Sequence, residues 1–140
     1  MPIKPNGDQI KQLLEADQDR PVVMLNLLRY APKAAGEAGA QGLSGEDSYK
    51  RYGEEVTAIL DSIGAKLLWR GRADSVVIGE ADERWDEALL VEYPSRRAFI
   101  QMTSRKDYEK TGEHRTNALV DSRLIATTEL FRNFGARNEA

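Results

Sequence analysis

The sequence predicts an α+β fold: a ferredoxin-like split βαβ sandwich, an antiparallel sheet with helices on one face. Three observations carry this. After a short leading helix, the apolar periodicities follow the order strand, helix, strand, a short extra strand, strand, two helices, strand. The chain has 140 residues, the size of one domain. Strand candidates near both ends and in the middle are separated by helices that can pack on only one side of a sheet, the pattern of a split βαβ unit.

Asn6, with Gln9 three residues on, caps a short helix carrying Ile10, Leu13 and Leu14 and ending near Asp17. Residues 1–20 are therefore a helical lead-in and residues 21–132 the core. After Pro21, VVMLNLLRY (Val22 to Tyr30) is β-rich and too short for a buried helix, so it is the first strand. Pro32 to Gly45 is rich in Ala and Gly without an apolar period, which predicts a long loop of the kind that walls a pocket. Ser44 and Asp47 open a helix whose stripe is Tyr49, Tyr52, Val56, Ile59, Leu60 and Ile63, closed by Gly64.

Ala65 to Arg72 alternates as a strand, SVVIGE (Ser75 to Glu80) as a short extended piece, and Trp85 to Tyr93 as a further strand ended by Pro94. Ser95 caps a helix with Ala98, Phe99 and Met102. Ser104 and Asp107 start another that includes Tyr108, Arg115 and Leu119, with Gly112 weakening its middle. Arg123 to Arg132 is the closing strand, and residues 133–140 form a polar tail expected to fray.

The first strand places Val22, Met24, Leu28 and Tyr30 in one phase and Val23, Leu25 and Leu27 in the other; Ala88 to Tyr93 does nearly the same. A sheet with one solvated face should alternate with polar residues, so the second face needs a cover. A second copy of the chain, a homodimer, is the economical one.

Composition excludes several classes of function. Acidic residues exceed basic ones by 23 to 20 and the Lys and Arg are dispersed, so neither nucleic acid nor an anionic membrane is an expected partner. With no cysteine there is no disulfide, thiolate catalysis or Cys-type zinc site. One histidine and the absence of metal-ligand spacing argue against a metal, and no dinucleotide or phosphate-loop fingerprint calls for a cofactor. The N-terminus lacks the apolar core of a signal peptide and no run approaches the roughly 20 residues of a membrane span, so a soluble, cytoplasmic protein is expected.

MLNLLRY on the first strand, Tyr49 and Tyr52 in SYKRYGEEV, IGAKLLWRG, Trp85-Asp86 before LLVEYPSRRAF, and HRTNALVDSRLIAT together resemble the domain of unknown function family 1330 over about Val22 to Leu130. The resemblance implies a ferredoxin-like monomer that pairs into a dimeric α+β barrel. It implies no established reaction. Related barrel families include cofactor-independent monooxygenases, muconolactone isomerase-like enzymes and haem-handling proteins, an analogy of fold alone.

The residues themselves suggest a pocket for a small, partly apolar organic molecule, with catalysis left open. Asn26, a carboxamide in an apolar strand, either orients a substrate carbonyl or is satisfied within the protein. His114 is the one side chain that titrates near neutral pH without special tuning and is the candidate proton shuttle, its alternative being a solvated helix residue. Tyr52 could supply a hydroxyl, and Tyr49 a second; their rings also suit the core. Arg29 and Arg115 could bind a substrate carboxylate or simply pair with surface carboxylates; Trp85 joins them and Tyr49 as a substrate-binding candidate, its alternative being to seal the end of its strand. The rival class is a non-catalytic binding or interaction module whose polar core groups hold the dimer together.

Overall fold

The computed structural model describes residues 2–133. Its elements are α1 (Gly7–Glu15), β1 (Val22–Tyr30), α2 (Gly36–Ala40), α3 (Gly45–Ser62), β2 (Lys66–Arg72), β3 (Glu87–Tyr93), α4 (Arg96–Thr103), α5 (Lys106–Ala118) and β4 (Leu119–Thr127). The four strands form one sheet in the order β2-β3-β1-β4, with every neighbouring pair antiparallel. This is the α+β, ferredoxin-like arrangement that the sequence predicts.

The helical caps form as their side chains dictate. Asn6 and Gln9 make a reciprocal capping box at α1, Ser44 Oγ accepts from the Asp47 amide, and Ser95 Oγ accepts from Ala98. Gly64, at φ +74°, turns the chain from α3 toward β2.

Four local expectations are corrected. The Pro32 to Gly45 segment is not wholly irregular, because it contains the single-turn helix α2. Ser75 to Glu80 forms no strand: it pairs with nothing in the sheet and leaves Val77 and Ile78 exposed. Ser104 ends α4, its Oγ donating to the Ile100 carbonyl, instead of capping α5, which starts after Arg105. Finally β4 begins at Leu119 and ends at Thr127, because α5 runs into it without a loop and Leu119 pairs with Tyr30 at once. The tail beyond residue 133 lies outside the described residues.

The two phases of β1 have different surroundings. Val22 and Met24 pack with Ile59, Ala65, Tyr93 and Met102, and Leu28 packs with Tyr49, Leu89, Ala118 and Leu119, so this phase faces the helices. Asn26 lies in the same phase, between the two clusters. The opposite phase gathers Val23, Leu25, Leu27, Leu90, Trp69 and Ile125 on the open face, where Trp69 and Ile125 stay about half exposed.

Candidate functional site

Three turns of chain converge at the end of the sheet where β1 and β2 finish and β3 begins. β1 carries a bulge between Arg29 and Tyr30, which re-aims the strand's last residue. The Tyr30 amide then donates to Asp86 Oδ2 at 2.8 Å, while the Asp86 amide donates to the Leu28 carbonyl and its own carbonyl accepts from Ala73. Asp86 thereby ties the ends of all three strands. Gly45, the first residue of α3, lets that helix start against the end of β1: a Cβ there would stand 2.2 Å from the Ala31 carbonyl oxygen and 2.4 Å from that of Ala118. Only glycine fits so close a crossing.

This convergence leaves a cavity of about 400 Å³ lined by Tyr30, Glu46, Arg70, Gly71, Arg72, Ala73, Asp86 and Glu87. A second hollow of about 330 Å³ shares Tyr30, Glu46 and Asp86 and extends past Ala31, Pro32, Ser44 and Arg84. The two are parts of one groove.

Glu87 is the centre of the polar cluster at this groove. It is 6% exposed, yet it stands at the rim of the cavity in the helix-facing phase of β3, in register with Leu28. The Tyr30 hydroxyl donates to one of its carboxylate oxygens and Arg70 Nε to the other. A buried carboxylate persists only with such partners. Burial, and then the hydrogen bond to Glu87, push the Tyr30 phenol well above its usual range. A line of rings leads inward from Tyr30 to Tyr49, Tyr52 and Tyr108, the last two joined by a 3.2 Å contact between hydroxyls. Desolvation pushes Tyr49 up to about 12 and raises Tyr52 as well.

The residues singled out from sequence are not brought together here, and none of the seven lines the groove. Asn26 is buried, its Nδ2 donating to the Met24 carbonyl at 3.3 Å. His114 bonds Glu55 across α3 and α5 at 3.0 Å, and Thr111 donates to the other oxygen of the same carboxylate. Arg115 donates to the Ile3 carbonyl. Tyr49 and Tyr52 stand behind Tyr30 in the line of rings. Arg29 lies on the open face, paired in register with Asp121, with its buried Nε unpartnered among the described residues. Trp85 donates to Glu83 and carries the Arg123 guanidinium 5.2 Å from its ring centre.

Sequence reasoning missed Tyr30, Arg70, Asp86 and Glu87. One signal was present: Glu87 shares its strand phase with Leu89, Val91 and Tyr93, so a strand whose apolar phase is buried must also bury that carboxylate. Among the described residues no group of acidic and histidine side chains is arranged to hold a metal, and no helix is long and apolar enough to cross a membrane.

Similar proteins share this architecture. A crystal structure of a protein of unknown function from Rhodopseudomonas palustris is 34% identical, with 93% of this chain and 98% of that one covered at a TM-score of 0.85. A dimeric protein of unknown function with a ferredoxin-like fold from Bacteroides fragilis matches at 12% identity, 79% and 98% coverage and a TM-score of 0.51. A candidate antibiotic biosynthesis monooxygenase from Bacteroides thetaiotaomicron matches at 17% identity, 80% and 91% coverage and a TM-score of 0.54. The last two likenesses are of fold alone. No curated protein matches the chain. The domain of unknown function family DUF1330 matches residues 42–128, from just before α3 to just past β4, and with most of the chain covered this protein belongs to that family.

Proposed function

We propose that this chain binds a small, partly apolar organic molecule in the groove at the end of its sheet and moves a proton on it without a cofactor. The observation that carries the reading is Glu87, a buried carboxylate whose phenol partner Tyr30 lines a cavity of about 400 Å³. A cavity of that size suits a small organic ligand. In the proposed step Tyr30 Oη takes a proton from the bound molecule while its own proton passes to Glu87, so the charge left on the molecule forms beside Arg70 and Arg72. Tyr30 contributes an aromatic wall, and Arg70 holds the carboxylate in place.

The site works in a homodimer. Val23, Leu25, Leu27, Leu90, Trp69 and Ile125 make an apolar centre on the open face, rimmed by Lys66, Glu92 and Arg132 at one end and by Arg29, Asp121 and Arg123 at the other. An apolar centre with a charged rim is the anatomy of a protein interface, and a second copy closes the two sheets on one another.

One observation favours the non-catalytic reading: both oxygens of Glu87 are already engaged, as in a strut that fixes the strand ends. The two readings separate by experiment. Native mass spectrometry of the purified dimer should show a small organic adduct, and Ala73→Trp, which fills the cavity, should remove the adduct and leave the dimer. An adduct that survives Ala73→Trp overturns the site. An adduct that binds equally well to Glu87→Gln and is never chemically changed by the native protein favours the binding module.

A further inference from the structure

The groove gathers Arg70, Arg72 and Arg84 with Glu46, Asp86 and Glu87, and these charges do not pair as the strand register suggests. Arg70 and Arg72 share the helix-facing phase of β2, and Glu87 lies directly across the ladder from Arg72. Opposite charges that face one another across a ladder attract and pair by default. Glu87 instead accepts from Arg70, on the diagonal, with one oxygen and from the Tyr30 hydroxyl with the other, so Arg72 is left beside an occupied carboxylate. Arg84 stands on the other side of Tyr30 in the same groove. Among the described residues neither Arg72 nor Arg84 makes an ion pair.

We propose that the molecule bound in the groove is an organic acid, a single carboxylate on a ring or similar apolar body. Arg72 holds the carboxylate through its planar fork, and Arg84 draws it in from the opposite rim. The apolar body lies against the Tyr30 ring and Ala73. The assignment rests on the groove being a small-molecule site and names the class of molecule that site takes.

A phosphate is the other anion that arginine recognises, and the groove is built against it. Phosphates use the free amides at a helix start, and α3 starts at this groove. Its amides are already engaged: Gly45 donates to the Ala31 carbonyl, Asp47 to Ser44 Oγ and Ser48 to the Ser44 carbonyl. Glu46, in the first turn of α3, lines both hollows, and Asp86 stands between them with Oδ2 accepting from the Tyr30 amide. These two carboxylates oppose a second negative charge on the ligand. One carboxylate on the Arg72 side is what the groove's charges accept.

Ligand-observed NMR titration of the full-length chain tests this with three probes of similar shape and different charge: phenylacetate, neutral phenylacetamide and phenyl phosphate. Phenylacetate should bind saturably and at least about tenfold more tightly than either of the others. Arg72→Gln should weaken phenylacetate at least about tenfold without weakening phenylacetamide, and Arg84→Gln should weaken phenylacetate by a smaller factor that shrinks with added salt. Circular dichroism confirms that each variant is folded. If the amide binds the native protein as tightly as the acid, or Arg72→Gln leaves phenylacetate unmoved while Ala73→Trp abolishes its binding, the acid assignment falls and the groove remains a small-molecule site. If phenylacetate binds equally well to Ala73→Trp, the groove itself falls and the assignment with it. Tighter binding of phenyl phosphate than of phenylacetate, or saturable binding of none of the three, also overturns the carboxylate assignment.

Discussion

Glu87→Ala removes the acceptor of the Tyr30 phenol and the partner of Arg70 at once, and the two losses have different sizes. The Arg70 side chain is 58% exposed, so water re-solvates its guanidinium and the ion pair contributes at most about 1 kcal/mol. The Tyr30 hydroxyl is partly buried and loses a charged acceptor, which costs about 1.5–3 kcal/mol. The sum is about 3 kcal/mol, or a fall of about 10 °C in Tm for a chain of this length. Glu87→Gln keeps an acceptor for Tyr30 and gives up only the charge, so it should cost about 1 kcal/mol. Scanning calorimetry at neutral pH measures both, and Tyr30→Phe completes a double-mutant cycle in which it costs at least about 1 kcal/mol less in the Glu87→Ala background than alone. If Glu87→Ala and Glu87→Gln melt together, or the cycle shows no coupling, the carboxylate does not depend on the phenol in the way the geometry requires.

Asn26→Leu should hold or raise stability, by up to about 1 kcal/mol, because leucine would join the two apolar clusters and replaces a single long hydrogen bond; chemical denaturation measures this, and a loss of 1 kcal/mol or more refutes it. Leu25→Asp, at the centre of the open face, should convert particles of twice 15.7 kDa into monomers in light scattering, and a native protein that is already monomeric would remove the proposed dimer. Stability should fall steeply from about pH 10 upward. Tyr49, Tyr52 and Tyr93 all have pKa values raised by burial, so the unfolded chain loses protons near pH 10 that the folded chain keeps, and stability present below that pH disappears as pH rises toward about 12. Phenolate absorbance should appear together with unfolding, and titration of all five tyrosines before the fold is lost would contradict the burial.

Periodicity carries the fold because each element's pattern is local. Val22 to Tyr30 shows its strand in nine consecutive residues, and the α3 stripe shows its helix in the same way. The elements that were misjudged are those whose state is decided by partners elsewhere. SVVIGE has the composition of a strand, yet it pairs with neither edge strand, β2 or β4, and leaves Val77 and Ile78 exposed. Leu119 to Ser122 continues a helical pattern in sequence and becomes strand because Tyr30 to Leu28 offers it a ladder. The site was harder still to see. Tyr30 and Glu87 are 57 residues apart and Arg70 and Glu87 are 17 apart, so no spacing rule connects them, and only the antiparallel register places them side by side.

Asn26 shows why a polar residue in an apolar strand is an uncertain guide to a site. Its phase was legible: it alternates with Met24 and Leu28 and must point at the helices. Its surroundings were not, because they depend on which helix residues end above it. Glu87 lies in the same helix-facing layer, one strand away and nearer the sheet's end, yet it has two strong partners and a cavity where Asn26 has one local bond to Met24. Position within the sheet decides the difference. Strand ends are where backbone groups leave the ladder, where bulges redirect side chains, and where loops leave space beside buried charge. A carboxamide in mid-strand has none of these, so Asn26 could take part in binding only by meeting a ligand that reaches inward past Tyr30, whereas Glu87 already lines the groove.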